Sequence, residues 1–126
     1  MRFWSLPEFR TNETPARGTS SRVLLRFEAW GREIILRQTV IEPGGSSGWH
    51  YHDGTLFVLV TKGTLDHPDA RLAPIAYRRP RLFRERGGPR YAHVARNRGT
   101  GPVAITVLYV NPVGAPLSRA VASPEG

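Results

Sequence analysis

The sequence predicts an all-β domain, a barrel or a two-layer sandwich, and three observations lead there. Short runs rich in Val, Ile, Leu, Thr, Phe and Tyr recur from Val23 to Val110, and no segment repeats its apolar residues with the 3.6-residue period of a helix. The runs are separated by turns drawn from 13 glycines and 11 prolines. Many short strands joined by such turns are the mark of a barrel or sandwich. The 126 residues suit one domain that buries a core without staples, and the absence of cysteine excludes disulfides and thiolate metal sites.

The elements follow in order. Phe3, Trp4, Leu6 and Phe9 are too apolar for a free tail, whereas Thr11 to Ser21 reads as a polar loop. Residues 1-21 are therefore expected to form an arm and loop, the arm packing on a second copy of the chain in a homodimer. Val23 to Trp30 and Glu33 to Ile41 are strands divided by Gly31-Arg32, the spacing of a hairpin. Glu42 to Gly48, with three glycines and a proline, reads as a turn. Leu56 to Thr61 is a buried strand by its apolar content, and Ile75 to Tyr77 a short one. Arg78 to Arg90 reads as a loop in which only Leu82-Phe83 is strand-like. Tyr91 to Ala95 and Val103 to Val110 complete the strands. Residues 119-126 are expected to be a flexible tail. The predicted core is Val23, Leu25, Ile35, Leu36, Val58, Val60, Val107 and Val110.

The chemistry concentrates on histidine. His50 and His52 are separated by one residue in a β-prone run, which puts both imidazoles on one face of a strand. Neutral imidazole is the commonest protein ligand for Fe, Ni, Zn and Cu, so the pair is either chance or half of a metal site. Of the other two histidines, only His93 lies in a strand-like segment. His67, next to Pro68 in a polar turn, reads as a surface residue.

The surroundings of these histidines carry a resemblance. Gly45-Ser46-Ser47-Gly48-Trp49-His50-Tyr51-His52, the apolar run Leu56 to Val60, and Lys62-Gly63-Thr64-Leu65 resemble the first motif of the cupins. Gly87-Gly88-Pro89-Arg90-Tyr91-Ala92-His93-Val94-Ala95-Arg96-Asn97 resembles the second, whose centre is His-x-x-x-Asn. The resemblance implies a cupin-like β-barrel, a double-stranded β-helix or jelly roll, over residues 22-118. It also implies a divalent metal, Fe, Mn, Ni, Zn or Cu, held by His50, His52 and His93. The chain departs from the motif in one respect: Leu56 and Phe57 stand where a metal-ligating glutamate is usual, leaving three ligands of the family type.

Around such a centre Tyr51, Tyr91, Arg96 and Asn97 are the candidates to support the ligands, with Asn97 expected mainly to brace its own turn. Trp49, Phe57 and Tyr91 are the candidates to line a cavity for a small organic substrate, aromatic or a secondary-metabolite intermediate. Two function classes remain: a metal-dependent enzyme, whether oxygenase, isomerase, cyclase or lyase, and a non-catalytic module that binds a small molecule. No nucleophile elbow, phosphate loop or dinucleotide fingerprint is present.

The net charge of +8 comes from seventeen arginines and the single Lys62, a ratio that reads as codon bias more than as a nucleic-acid surface. Binding to nucleic acid would show as strong salt dependence and is not expected. The opening sequence lacks the apolar core of a secretory signal, and no apolar run is long enough for a membrane span. A soluble, cytoplasmic protein is the expectation.

Overall fold

A computed structural model describes residues 15–72 and 75–125. The arm residues Phe3, Trp4, Leu6 and Phe9 lie outside them. The described chain forms β1 (Arg17–Ala29), β2 (Arg32–Ser46), β3 (His50–Tyr51), β4 (Thr55–Lys62), β5 (Thr64–Asp66), β6 (Ala76–Arg78), β7 (Arg81–Glu85), a 3₁₀ turn at Pro89–Tyr91, β8 (Val103–Pro112) and β9 (Arg119–Ala120). The all-β expectation holds. Among the described residues no helix is long and apolar enough to cross a membrane.

The main sheet has the strand order β1-β2-β8-β4-β7, every neighbouring pair antiparallel. Its first hairpin turns on Trp30 and Gly31, both with φ near the left-handed region (52° and 71°), so Ala29 faces Arg32. Two central residues of positive φ are what a two-residue turn between right-twisted strands requires. Facing this sheet are the two small pairs β3-β9 and β5-β6, tied together by isolated bridges from Ser46 and Asp66 to Arg96 and from His50 and Asp69 to His93.

Because side chains alternate, one face of the large sheet looks inward. The row Ile35, Tyr109, Leu56, Glu85 crosses four strands, and the row Arg37, Val107, Val58, Phe83 lies beside it. Ile35, Leu56, Val58, Val60, Val107 and Tyr109 pack with Leu65 from the opposing layer to make the core. The predicted core is thus half right. Val23 and Leu25 lie on the edge strand and are about half exposed (49% and 53%), while Leu36 and Val110 are only partly buried. Both stand in rows adjoining inward ones, on the opposite face of the pleat.

Four other expectations need correction, each because a partner strand supplies what local sequence lacks. The loop read for Thr11 to Ser21 is strand from Arg17 onward, since β2 extends to Ser46 and Arg17 pairs with it. The turn read for Glu42 to Gly48 is therefore mostly strand as well. Within Arg78 to Arg90, Arg81–Glu85 forms β7 by pairing with the whole apolar length of β4. The tail is not free: β9 pairs with His50 and Tyr51, Val121 N–H donates to Trp49 O at 3.0 Å, and Glu125 accepts from Trp49 Nε1 and Arg96.

Candidate metal centre

The site is assembled from both layers. His50 lies on β3 and His52 just past it, and their rings are 4.8 Å apart. His93 is brought alongside by two backbone hydrogen bonds with His50, each 2.9 Å, which put its ring 4.5 Å from that of His50 and 5.1 Å from that of His52. The sequence expectation that these three converge is met in this geometry. All three fall within a group of side chains able to hold a metal ion.

Each imidazole is aimed by its Nδ1. His50 Nδ1 lies 2.7 Å from Gly48 O, His52 Nδ1 2.7 Å from Leu117 O, and His93 Nδ1 2.9 Å from Tyr91 O. Carbonyl oxygens only accept, so each Nδ1 carries the proton and each Nε2 presents a lone pair to the centre. This is the arrangement that fixes the tautomer of a metal-ligating histidine.

A carboxylate enters from the large sheet. Glu85, the last residue of β7, places Oε2 3.2 Å from His52 Nε2 and 3.1 Å from His93 Nε2, and Oε1 2.8 Å from His67 Nε2. Its side chain is 9% exposed. Oε2 receives no aligned hydrogen bond despite these distances, because the nitrogens nearest it offer lone pairs. Two lone pairs facing a buried carboxylate oxygen repel unless a cation sits among them. The donor set of imidazole nitrogens and a carboxylate oxygen therefore fits a divalent metal, in two overlapping groups that share His93. His67 Nε2–H in turn donates to Oε1 and holds the carboxylate in place.

The protonation directions agree. Burial, then the neighbouring His93 and His52, push the His50 imidazole down to about 3, so it is neutral at physiological pH. Burial opposes ionisation of Glu85, but the imidazoles of His52, His67 and His93 outweigh it and hold the carboxyl well below its usual range. Burial also disfavours protonated His93, yet Glu85 raises its pKa above the ordinary value.

Glu85 and His67 were not foreseen. The signal for Glu85 was a lone acid among six arginines from Arg78 to Arg90, at the end of a run short enough to pass for a loop. His67 was expected on the surface, yet it is buried, stacked on His93 at 4.5 Å and edge-on to Phe83 at 5.3 Å. Local polarity misled because its cover comes from β7, distant in sequence. Glycine permits the approach: a Cβ on Gly87 would lie 2.8 Å from the carbonyl oxygens of Asp53 and Gly54, and Gly88 N–H bonds to His52 O at 2.7 Å.

The remaining predicted residues sit elsewhere. Asn97 braces its turn as expected, donating to Ile41 O and Gly101 O and accepting from Gly99 N–H. Arg96 pairs with Asp66 and Glu125, and Tyr51 lies on β3 opposite Arg119. Tyr91 belongs to the 3₁₀ turn and lines, with Arg86 and Arg90, a second and more open hollow that reaches His67, Glu85 and His93 from the other side. Phe57 points away from the histidines, because alternation along β4 turns Leu56, Val58 and Val60 inward. Trp49 is buried without lining the cavity. That cavity, about 180 Å³ beside His50, His52, His93 and Glu85, is walled by Leu56, Val58, Val107, Tyr109, Arg37 and Thr39 among others, so its lining is mixed and not the apolar aromatic one expected.

No family model and no curated protein matches the chain. Solved structures do. The polyketide cyclase RemF from Streptomyces resistomycificus superposes with a TM-score of 0.68 at 18% identity, over 96% of this chain and 90% of that one. The cupin domain of an XRE family transcriptional regulator from Enterobacter cloacae gives 0.63 at 18% identity, over 76% and 99%. The chain has the cupin fold. An acetylacetone dioxygenase from Acinetobacter johnsonii gives 0.65 at 13% identity, over 99% and 89%. In this chain, Leu56 occupies one of the two positions where the first cupin motif usually carries glutamate, and its ladder partner on β7 is Glu85.

Proposed function

We propose that this cupin is a metal-dependent enzyme acting on a small organic molecule in the cavity beside the histidines. His50, His52 and His93 would hold the ion through Nε2, with Glu85 Oε2 as a fourth donor. The observation that carries the reading is the shared tautomer of three clustered imidazoles, each with Nδ1 bonded to a backbone carbonyl, two of which, His52 and His93, set Nε2 within 3.2 Å of one carboxylate oxygen. A bound divalent ion would act as a Lewis acid, polarising an oxygen atom of the substrate or of water. The chain's own part is to orient the donors, to exclude bulk water with Leu56, Val58 and Val107, and to set Tyr109 edge-on to His52 at 6.0 Å. The similar structures include a cyclase and a dioxygenase, so the fold does not choose the reaction.

A second reading has support of its own. Four protein donors would close a tetrahedral zinc site, which is structural, whereas iron, manganese or nickel in octahedral geometry would keep two positions for substrate. A similar structure is the cupin domain of a transcriptional regulator. A closed zinc site would make this chain a binding module.

Elemental analysis after gentle purification tests the proposal. About one divalent ion per chain is expected, and alanine at His50, His52 or His93 should each remove most of it. Metal far below one equivalent after soaking with Fe, Mn, Ni, Zn and Cu salts would end the metal-dependent reading.

A further inference from the structure

Arg37 is the one cationic side chain lining the cavity outside the histidine cluster, among the described residues. It stands on the inner face of β2, opposite Val107 of β8 and Val23 of β1, in a row otherwise apolar on that side. Its guanidinium donates to the Tyr109 hydroxyl at 3.2 Å. Among the described residues no carboxylate pairs with it. A guanidinium offers five N–H donors, and a phenol satisfies one of them without neutralising the charge. Among the described residues the only carboxylate in the lining, Glu85, is committed to His67, His52 and His93. A half-buried cation facing a cavity calls for an anion to complete it.

We infer that the cavity takes a small organic monocarboxylate, gripped by Arg37 on the wall that it shares with Tyr109. The planar fork of arginine matches a carboxylate in bidentate fashion, and the hydroxyls of Thr39 and Tyr109 share the same wall. Leu56, Val58 and Val107 accommodate the apolar remainder and direct the rest of the molecule toward His50, His52 and His93. One guanidinium balances one negative charge, which favours a monocarboxylate over a phosphate dianion. This inference deepens the reading of the site as a metal-dependent centre and rests on it for the purpose of binding.

The test is calorimetric titration of zinc-loaded and metal-free protein with pyruvate and benzoate, with hydroxyacetone and benzyl alcohol as neutral counterparts and inorganic phosphate as the competing anion. At least one carboxylate should bind about tenfold or more tightly than its neutral counterpart, the scale of a hydrogen bond to a charged group. Arg37→Met should abolish that preference and Arg37→Lys should keep part of it, with zinc content equal in all three proteins. Absence of carboxylate binding, equal binding of neutral and charged probes, preferential binding of phosphate, or full carboxylate affinity in Arg37→Met would each overturn the inference. Carboxylate binding that depends on Arg37 in a protein that takes up none of Fe, Mn, Ni, Zn and Cu would sustain it while removing the metal reading. Zinc uptake without any effect of Arg37→Met would do the reverse.

Discussion

At the residue scale the decisive group is Glu85, and its value depends on a neighbour. His67 donates Nε2–H to Oε1, leaving Oε2 for the centre. His67 could instead be a ligand, since its own nitrogen lies near Glu85 and His93. The two roles predict different losses. As a positioning residue, His67→Leu should lower metal affinity about 10- to 100-fold, the usual effect of removing a partner that orients a ligand. Alanine at His93 should cost far more. Competition with a chelator measures both, and a His67→Leu loss equal to that of His93→Ala would make His67 a ligand. Of this site the sequence displayed His50, His52 and His93, because period-2 spacing and a motif are local facts. It concealed Glu85 and His67, since a buried acid and a buried histidine look like surface residues until the strand that covers them is known.

At the scale of elements the informative feature is the β4–β7 ladder, in which Leu56 and Glu85 are direct partners. Directly opposed side chains on one face of an antiparallel pair have Cβ atoms roughly 4.5–5.5 Å apart, so a carboxylate can be exchanged across the rung with little displacement. The double variant Leu56→Glu with Glu85→Leu should therefore recover a substantial part of the metal affinity that Glu85→Leu alone loses, by at least about tenfold. Isothermal titration with the preferred ion decides it. If the double variant binds no better than Glu85→Leu, the carboxylate at position 85 is not equivalent to the usual one. Strands were legible where β-prone apolar residues clustered, as in β2 and β4. They were missed in β1 before Val23 and in β7, where serine, glycine and arginine take strand form because a partner's backbone groups must be satisfied.

At the scale of the molecule, the outer face of the large sheet remains to be covered. Leu25, Leu36, Leu108 and Phe57 form one row across four strands, with Phe27, Ile34 and Val110 beside it. Phe57 is 38% exposed and Leu82, near the same edge, 64%. Contiguous apolar surface of this extent is uncommon on a monomer, and a homodimer through this face is the expected state. Light scattering should give twice the 14.1 kDa chain mass, and Leu25→Lys with Phe57→Lys should halve it without loss of metal. A monomeric wild-type protein would refute the assignment. The barrel architecture was readable from turn residues and strand runs, but which face of each strand lay inside was not, because the edge strand carries apolar side chains on both. The hydrogen bond from His52 to Leu117 spans 65 residues and joins the first motif to the segment beyond the last long strand. The three imidazoles consequently cannot all be oriented on a nascent or partly folded chain. Contacts of such long range form late, so loading must follow folding, and an ion offered earlier would meet a histidine pair able to turn and release it.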